Sequence, residues 1–192
     1  MRSWTPTAQA QYWPPHWPEN KPIRLIVPFT ADGGTDVAAR VVSRKLAETL
    51  GPTIVIDNRG GAGGTIATDI CAKAPGDGYT LMMNHSGMTY NATLYAKLPY
   101  DTVRDVAAIA MIGVTPNVMV VHPSVAARTV KEFIAAAKAK PDGIVYGSGG
   151  HGSSAHLSVE LFQSLTGVRM VHIPYKGAGP ALGDLVGGQI QM

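Results

Sequence analysis

The chain has 192 residues, 16 lysines and arginines against 13 acids (net charge +3), 45% hydrophobic residues and only 15% charged ones. So apolar a composition excludes disorder through the bulk of the chain. The basic residues are scattered, with no Lys/Arg block to mark a nucleic-acid surface, and no apolar run reaches the roughly 18 residues of a membrane span, so no nucleic-acid partner and no membrane embedding are expected.

In chain order, residues 1–22 hold three tryptophans and five prolines without helical or strand period and read as an extended lead-in. Ala8-Gln9-Ala10 has the small-x-small form of a signal-peptidase site, yet too few residues precede it for the apolar stretch of a signal peptide. Residues 23–27 form an apolar run ending at Pro28, followed by a glycine-rich loop. Val37, Val41, Val42, Leu46 and Leu50 then fall near helical spacing up to Gly51-Pro52. Residues 53–56 read as a strand, 58–64 as a second glycine-rich loop, 65–73 as a helix and 79–83 as a third strand. Cys71 follows Ile66 and Ile70 in that helix and reads as a core thiol.

Residues 114–123 (VTPNVMVVHP) look strand-like and suit a connection between two lobes, with the boundary near residues 122–124. Val130, Phe133, Ile134 and Ala137 match a helical face. Strand 143–146, helix 154–165, strand 170–173 and helix 179–186 follow, and residues 187–192 read as a turn entering a strand at which the sequence stops. Strands alternating with helices imply parallel sheets covered by helices, an α/β chain, with ligands held at the carboxyl ends of the strands. The expected division is a lead-in at 1–22, a first α/β lobe at 23–122 and a second, partial α/β lobe at 123–192.

The strand-to-helix loops are therefore the candidate sites. In the first, residues 28–36 (PFTADGGTD), Thr35 or Asp36 opens a helix whose free N–H groups and dipole favour an anion. Neither a Walker A loop nor GxGxxG is present, and Thr35 serving as a plain N-cap above a glycine turn is an equal reading. Residues 147–157 (GSGGHGSSAHL) repeat this arrangement without fixed charge. No GxSxG elbow surrounds Ser148, Ser153 or Ser154, and no acidic partner orients His156, so no catalytic residues are assigned. The six histidines show no HExxH or comparable spacing, so no metal ligand is assigned, and no cofactor is expected. Two further loops, residues 84–89 and 175–180, occupy the same position; Lys176 offers either a charge for an acidic ligand or a solvated surface lysine.

Six segments taken together are distinctive: PENKPIRLIVPFTADGGTDVAAR, IVIDNRGGAGGTIATD, DGYTLMMNHSG, YAKLPYDTVRD, YGSGGHGSSAHLSVELF and VHIPYKGAGPALGDLVGGQIQM. In order from residue 17 to 192 they resemble the tripartite tricarboxylate transporter receptor family, the Bug-type periplasmic solute-binding proteins. The resemblance implies a type II periplasmic-binding-protein-like, two-lobed flytrap fold, incomplete here because the family chain continues and returns to the first lobe. It also implies a periplasmic location, a small carboxylate ligand (a di- or tricarboxylate, acidic amino acid or aromatic acid) in the inter-lobe cleft, and delivery to membrane permease subunits. Carried over by position, the ligand-binding candidates are Phe29, Thr30, Ala31, Gly33, Gly34, Thr35 and Asp36 in the first loop and Ser86 in the next. In the second lobe they are Ser148, Gly149, Ser153, Ser154, His156, Tyr175 and Lys176. Two positions depart from the family pattern: Asp32 stands where a small residue is usual, adding a negative charge that favours an amino acid or a less acidic solute, and Met88 stands where a hydroxyl is frequent. Rival readings are an α/β enzyme acting on a phosphorylated or acyl substrate and a cytosolic ligand-sensing module of similar fold.

Overall fold

A computed structural model describes residues 17–19 and 21–192. The Ala8-Gln9-Ala10 pattern and most of the lead-in lie outside the described residues.

Two parallel sheets organise the chain, as the alternation predicts. The strands Ile23–Val27 (β1), Ile54–Asn58 (β2) and Thr80–Met82 (β3) form one sheet with β1 in the centre, Leu25 facing Ile56 on one side and Leu81 on the other. Between them run helix Gly34–Leu50 (α1), a 3-10 turn at Ala62–Gly64 and helix Thr65–Ala72 (α2). Helix Gly87–Leu94 (α3) follows β3. The second sheet pairs Val145–Ser148 (β4) with Val171–Pro174 (β5), flanked by helices Val130–Ala139 (α4), Ser154–Thr166 (α5) and Ala178–Val186 (α6). Residues 191 and 192 run beside β4 without forming a strand: Gln191 and Met192 N–H donate to the Val145 carbonyl, and Gly147 N–H donates to Met192.

Each sheet has its own apolar core. Leu25, Val27 and Ala39 form the first, with Ile54, Ile56, Leu81 and Met83 against them. Phe133, Ala137, Ile144, Tyr146, Val168 and Met170 form the second. Helix α4 shows why such helices stay in place: Thr129 Oγ1 accepts the Glu132 N–H (3.2 Å), and the Glu132 carboxylate accepts the Arg128 N–H (2.7 Å), a reciprocal cap that satisfies donors with no intrahelical partner.

Five expectations need correction. Val37 and Val41 lie at helical spacing but are 53% and 63% exposed; α1 instead buries Asp36, Ala39 and Ser43, a narrow, small face that lies close against the strands. The helix opens at Gly34 with Gly33 as N-cap, so Thr35 does not cap it. Residues 114–123 form no strand: without a neighbouring strand to complete a ladder, this segment runs exposed, with Val114, Val118 and Val120 in solvent. Residues 87–89, read as part of the 84–89 loop, instead open helix α3. Cys71 is half-buried rather than in the core, and burial raises its thiol pKa, which disfavours the reactive thiolate. No helix among the described residues is long and apolar enough to cross a membrane.

Candidate functional site

The loop after β1 is shaped from within by Asp36. Its side chain is fully buried and its oxygens accept Arg40 Nε (2.8 Å), Arg40 Nη2 (3.2 Å), Asn58 Nδ2 (3.0 Å) and the main-chain N–H of Asp32 (3.0 Å). The Arg40 hydrogen bond, helped by Asn58, outweighs burial and holds the carboxyl below its ordinary value. Asn58, at the end of β2, also donates to the Phe29 carbonyl (3.0 Å), so one amide fixes both ends of the loop. Asp32 takes a left-handed turn (φ 66°) and its side chain stays exposed.

On the second sheet, β4 ends at Ser148, and Gly150 (φ 117°) and Gly152 (φ 77°) supply the left-handed steps that bring the chain round to α5. Ser153 caps that helix, its Oγ accepting the His156 N–H (3.3 Å). The Ser148 hydroxyl is buried, donating to the Gly150 carbonyl (3.2 Å) and accepting the Gly150 N–H (3.1 Å).

The two loop systems meet. Thr30 N–H donates to the Lys176 carbonyl (3.1 Å). A β-carbon on Gly177 would strike Thr30 Oγ1, one on Gly149 would lie 3.6 Å from the Phe29 ring and 3.8 Å from Gly177 Cα, and one on Gly179 would lie 3.6 Å from the Ala31 carbonyl. A β-carbon on Gly63 would strike the His151 carbonyl. Three helix starts therefore converge: α1 after Gly33, α5 after Ser153 and α6 after Gly177. The first N–H groups of each have no intrahelical acceptor, and each adds the positive end of a helix dipole, the combination that holds an anion without a fixed cation.

Of the residues singled out in the sequence, Phe29, Thr30, Ala31, Gly33, Gly34, Gly149 and Ser153 belong to this junction. Thr35 lies in the first turn of α1, and Ser154 opens α5 with its Oγ on Asn117 (3.3 Å). Asp36 and Ser148 are turned inward as supports. Lys176 contributes its carbonyl to the junction while its side chain is exposed. The Tyr175 hydroxyl donates to Asp184 (2.5 Å), which pushes its pKa up to about 12. Ser86 stands exposed at the start of α3.

Sequence reasoning missed three contributors. Asn58 ends a strand directly before a glycine run, a position that now explains itself. The His85 ring lies 4.6 Å from Phe29 and its Nδ1 accepts the Gly87 N–H; burial lowers its pKa, partly offset by the Gly63 carbonyl. Asn91 is buried at the junction, donating to the Gly63 carbonyl (3.0 Å) and filling the space where a β-carbon on Gly152 would sit. His151, His156 and His172 also come together, although no local spacing links them. Burial, then the neighbouring imidazoles, lower the His172 pKa to about 4, and burial lowers that of His156.

Residues 38–192 match the family described as the tripartite tricarboxylate transporter family receptor. The chain belongs to this family. It is 42% identical over 172 residues to the protein BugT of Bordetella pertussis, a match that covers 88% of this chain and 53% of BugT. It is 37% identical over 173 residues to a Pseudomonas sp. protein from the tcbD-tcbE intergenic region, covering 90% and 52%. Among solved structures, an R. palustris protein with adipate superposes at a TM-score of 0.88 with 38% identity, over 92% of this chain and 59% of that one. MatC from Rhodopseudomonas palustris with bound malate gives 0.83 and 33%, over 88% and 58%. The chain thus spans about half the length of the curated relatives it matches. These neighbours place its α/β architecture within the periplasmic solute-binding class.

Proposed function

We propose that this chain carries the solute-holding loops of a periplasmic receptor that captures a small carboxylate between two α/β lobes, residues 23–122 and 123–192, and hands it to the permease subunits of a tripartite tricarboxylate transporter. The convergence of the α1, α5 and α6 starts carries the reading. Three helix N-termini meet where the two loop systems touch, with the His156 N–H of α5 already taken by its Ser153 cap, an arrangement that suits a compact anion held by charge-assisted hydrogen bonds. The relatives solved with adipate and with malate support the ligand class.

The mechanism is capture by closure. Phe29, Thr30, Ala31, Gly34 and Thr35 present one side of the site and Gly149, Ser153 and Ser154 the other. Asp36 and Asn58 hold the first loop, and Ser148 holds the second. The enzyme reading would rest on Ser148 and His172, whose Oγ and Nε2 lie 2.7 Å apart. That hydroxyl is buried and committed to Gly150, so it is not presented to a substrate.

Thermal denaturation against adipate, malate, acidic amino acids and nucleotides tests the reading. A ligand at one hundred times its Kd stabilises by about 2.7 kcal/mol, which raises the midpoint of a chain this size by roughly 5–10 °C. A shift with a carboxylate supports capture; a shift with nucleotides alone overturns it.

A further inference from the structure

Behind the loop that opens α5, three imidazoles from separate parts of the chain meet. His151 lies in the loop, His156 in the first turn of α5, and His172 on β5 in register with Tyr146. The His156 ring stacks on His172 at 4.3 Å, and His151 stands edge-on to both, at 5.3 and 5.0 Å. One ring nitrogen from each can be chosen so that all three lie within 4.8 Å of one another. Three nitrogens on a tetrahedral zinc stand roughly 3.4 Å apart, given bonds of about 2.0–2.1 Å, so the stacked His156 and His172 rings must turn out of their stack to aim both lone pairs at one ion. His151 is exposed and no hydrogen bond holds it, so it is the ring free to move inward.

His156 Nδ1 accepts the Gly152 N–H (3.3 Å), a bond that must yield, or a tautomer that must change, for this imidazole to ligate, and the other surroundings fit a ligand set. Ser148 Oγ and His172 Nε2 lie 2.7 Å apart, and in the tautomer in which the ring donates, the hydroxyl proton is left for the Gly150 carbonyl. His172 Nδ1 then carries a bare lone pair, and it is buried without a hydrogen-bond partner. Metal-binding histidines characteristically give the second ring N–H to an oxygen in this way. The Glu160 carboxylate lies 3.9 Å from His156 Nε2 and is held by Tyr146 Oη (2.7 Å) and Gln163 Nε2 (3.0 Å), an anionic group at hand to balance an ion or complete its coordination.

We propose that His151, His156 and His172 form a site for one divalent transition-metal ion of the zinc class, with Glu160 or water as fourth ligand. Three imidazoles suit zinc, cobalt, nickel or copper and not the oxygen-seeking magnesium or calcium. The site does not depend on solute capture, and its test needs no carboxylate.

Untagged, chelator-treated chain is titrated with Co2+, following the visible bands of low-coordinate cobalt, and with Zn2+ by calorimetry. One Co2+ per chain, displaced by Zn2+ and indifferent to Mg2+, is expected. His151→Ala, at an exposed position, should weaken binding by at least about tenfold with an unchanged circular dichroism spectrum, and His172→Gln should do the same. His122→Ala, outside the cluster, should leave binding as it is. Absence of binding, or equal binding by the His151→Ala chain, overturns the proposal even if His172→Gln fails to fold.

Discussion

The Thr30 N–H donates to the Lys176 carbonyl across 3.1 Å, joining the loop after β1 to the loop after β5. This bond exists because Gly177 has no side chain to keep Thr30 away. Gly177 sits in extended backbone that any residue adopts (φ 162°), so a substitution there acts through space alone. Gly177→Val should hold the loops apart. The Kd for the carboxylate found by the denaturation screen should rise more than tenfold, and because Gly177 is buried against Thr30, urea unfolding without ligand should show a loss of about 1–3 kcal/mol.

Asp36 should matter for stability before it matters for binding. Asp36→Asn replaces a charged acceptor of Arg40, Asn58 and Asp32 with a neutral one, for an expected loss of about 1–3 kcal/mol at neutral pH by urea denaturation. The folded-state pKa lies below the ordinary 3.8, so this stability is present above 3.8 and is lost as pH falls through the lower folded value. The gap between wild type and variant should therefore close in that acid range and stay constant from pH 5 to 7.

Asp32 places an exposed carboxylate beside the loop proposed to help hold an anion. Asp32→Asn keeps a residue type that tolerates the left-handed turn. It should tighten dicarboxylate binding by about two- to fivefold at low salt, with the gain shrinking as salt is added, read by calorimetry at two ionic strengths.

Phe133 is 1% exposed and its ring lies 6.2 Å from that of Phe162. Phe133→Ala should cost about 3–5 kcal/mol in a urea titration, since the cavity would open in the centre of the second core.

Val103, Ile109, Met111, Val114 and Val118 expose apolar side chains along one continuous stretch. This chain should bind an apolar fluorescent dye without denaturant, and brief trypsin treatment should cut first after Arg104.

What the sequence made legible follows from how local each cause is. Strand β1 and helix α4 are set by apolar spacing within a few residues, and the reading found them. Strand β4 was read as residues 143–146 and lies at Val145–Ser148, because its carboxyl end is fixed by pairing with β5 rather than by its own pattern. Helix α3, GMTYNATL, has no apolar stripe; buried Asn91 ties it to Gly63, which no window of sequence reveals. Residues 114–123 carry strand chemistry but no partner strand. Within the site, the glycine loops could be read, whereas the inward turn of Asp36 and the meeting of His151, His156 and His172 depend on residues far apart in the chain.

Where the two loop systems touch, Gly63, Gly149, Gly150, Gly177 and Gly179 leave a contact made largely of main chain. A docking surface without side chains is indifferent to what the neighbouring side chains are. If the proposed capture holds, residues such as Thr35, Ser86 and Ser154 can change without touching the glycine contacts between the two loop systems. On the proposed mechanism, ligand choice and loop fit would then rest on different atoms of the same loops.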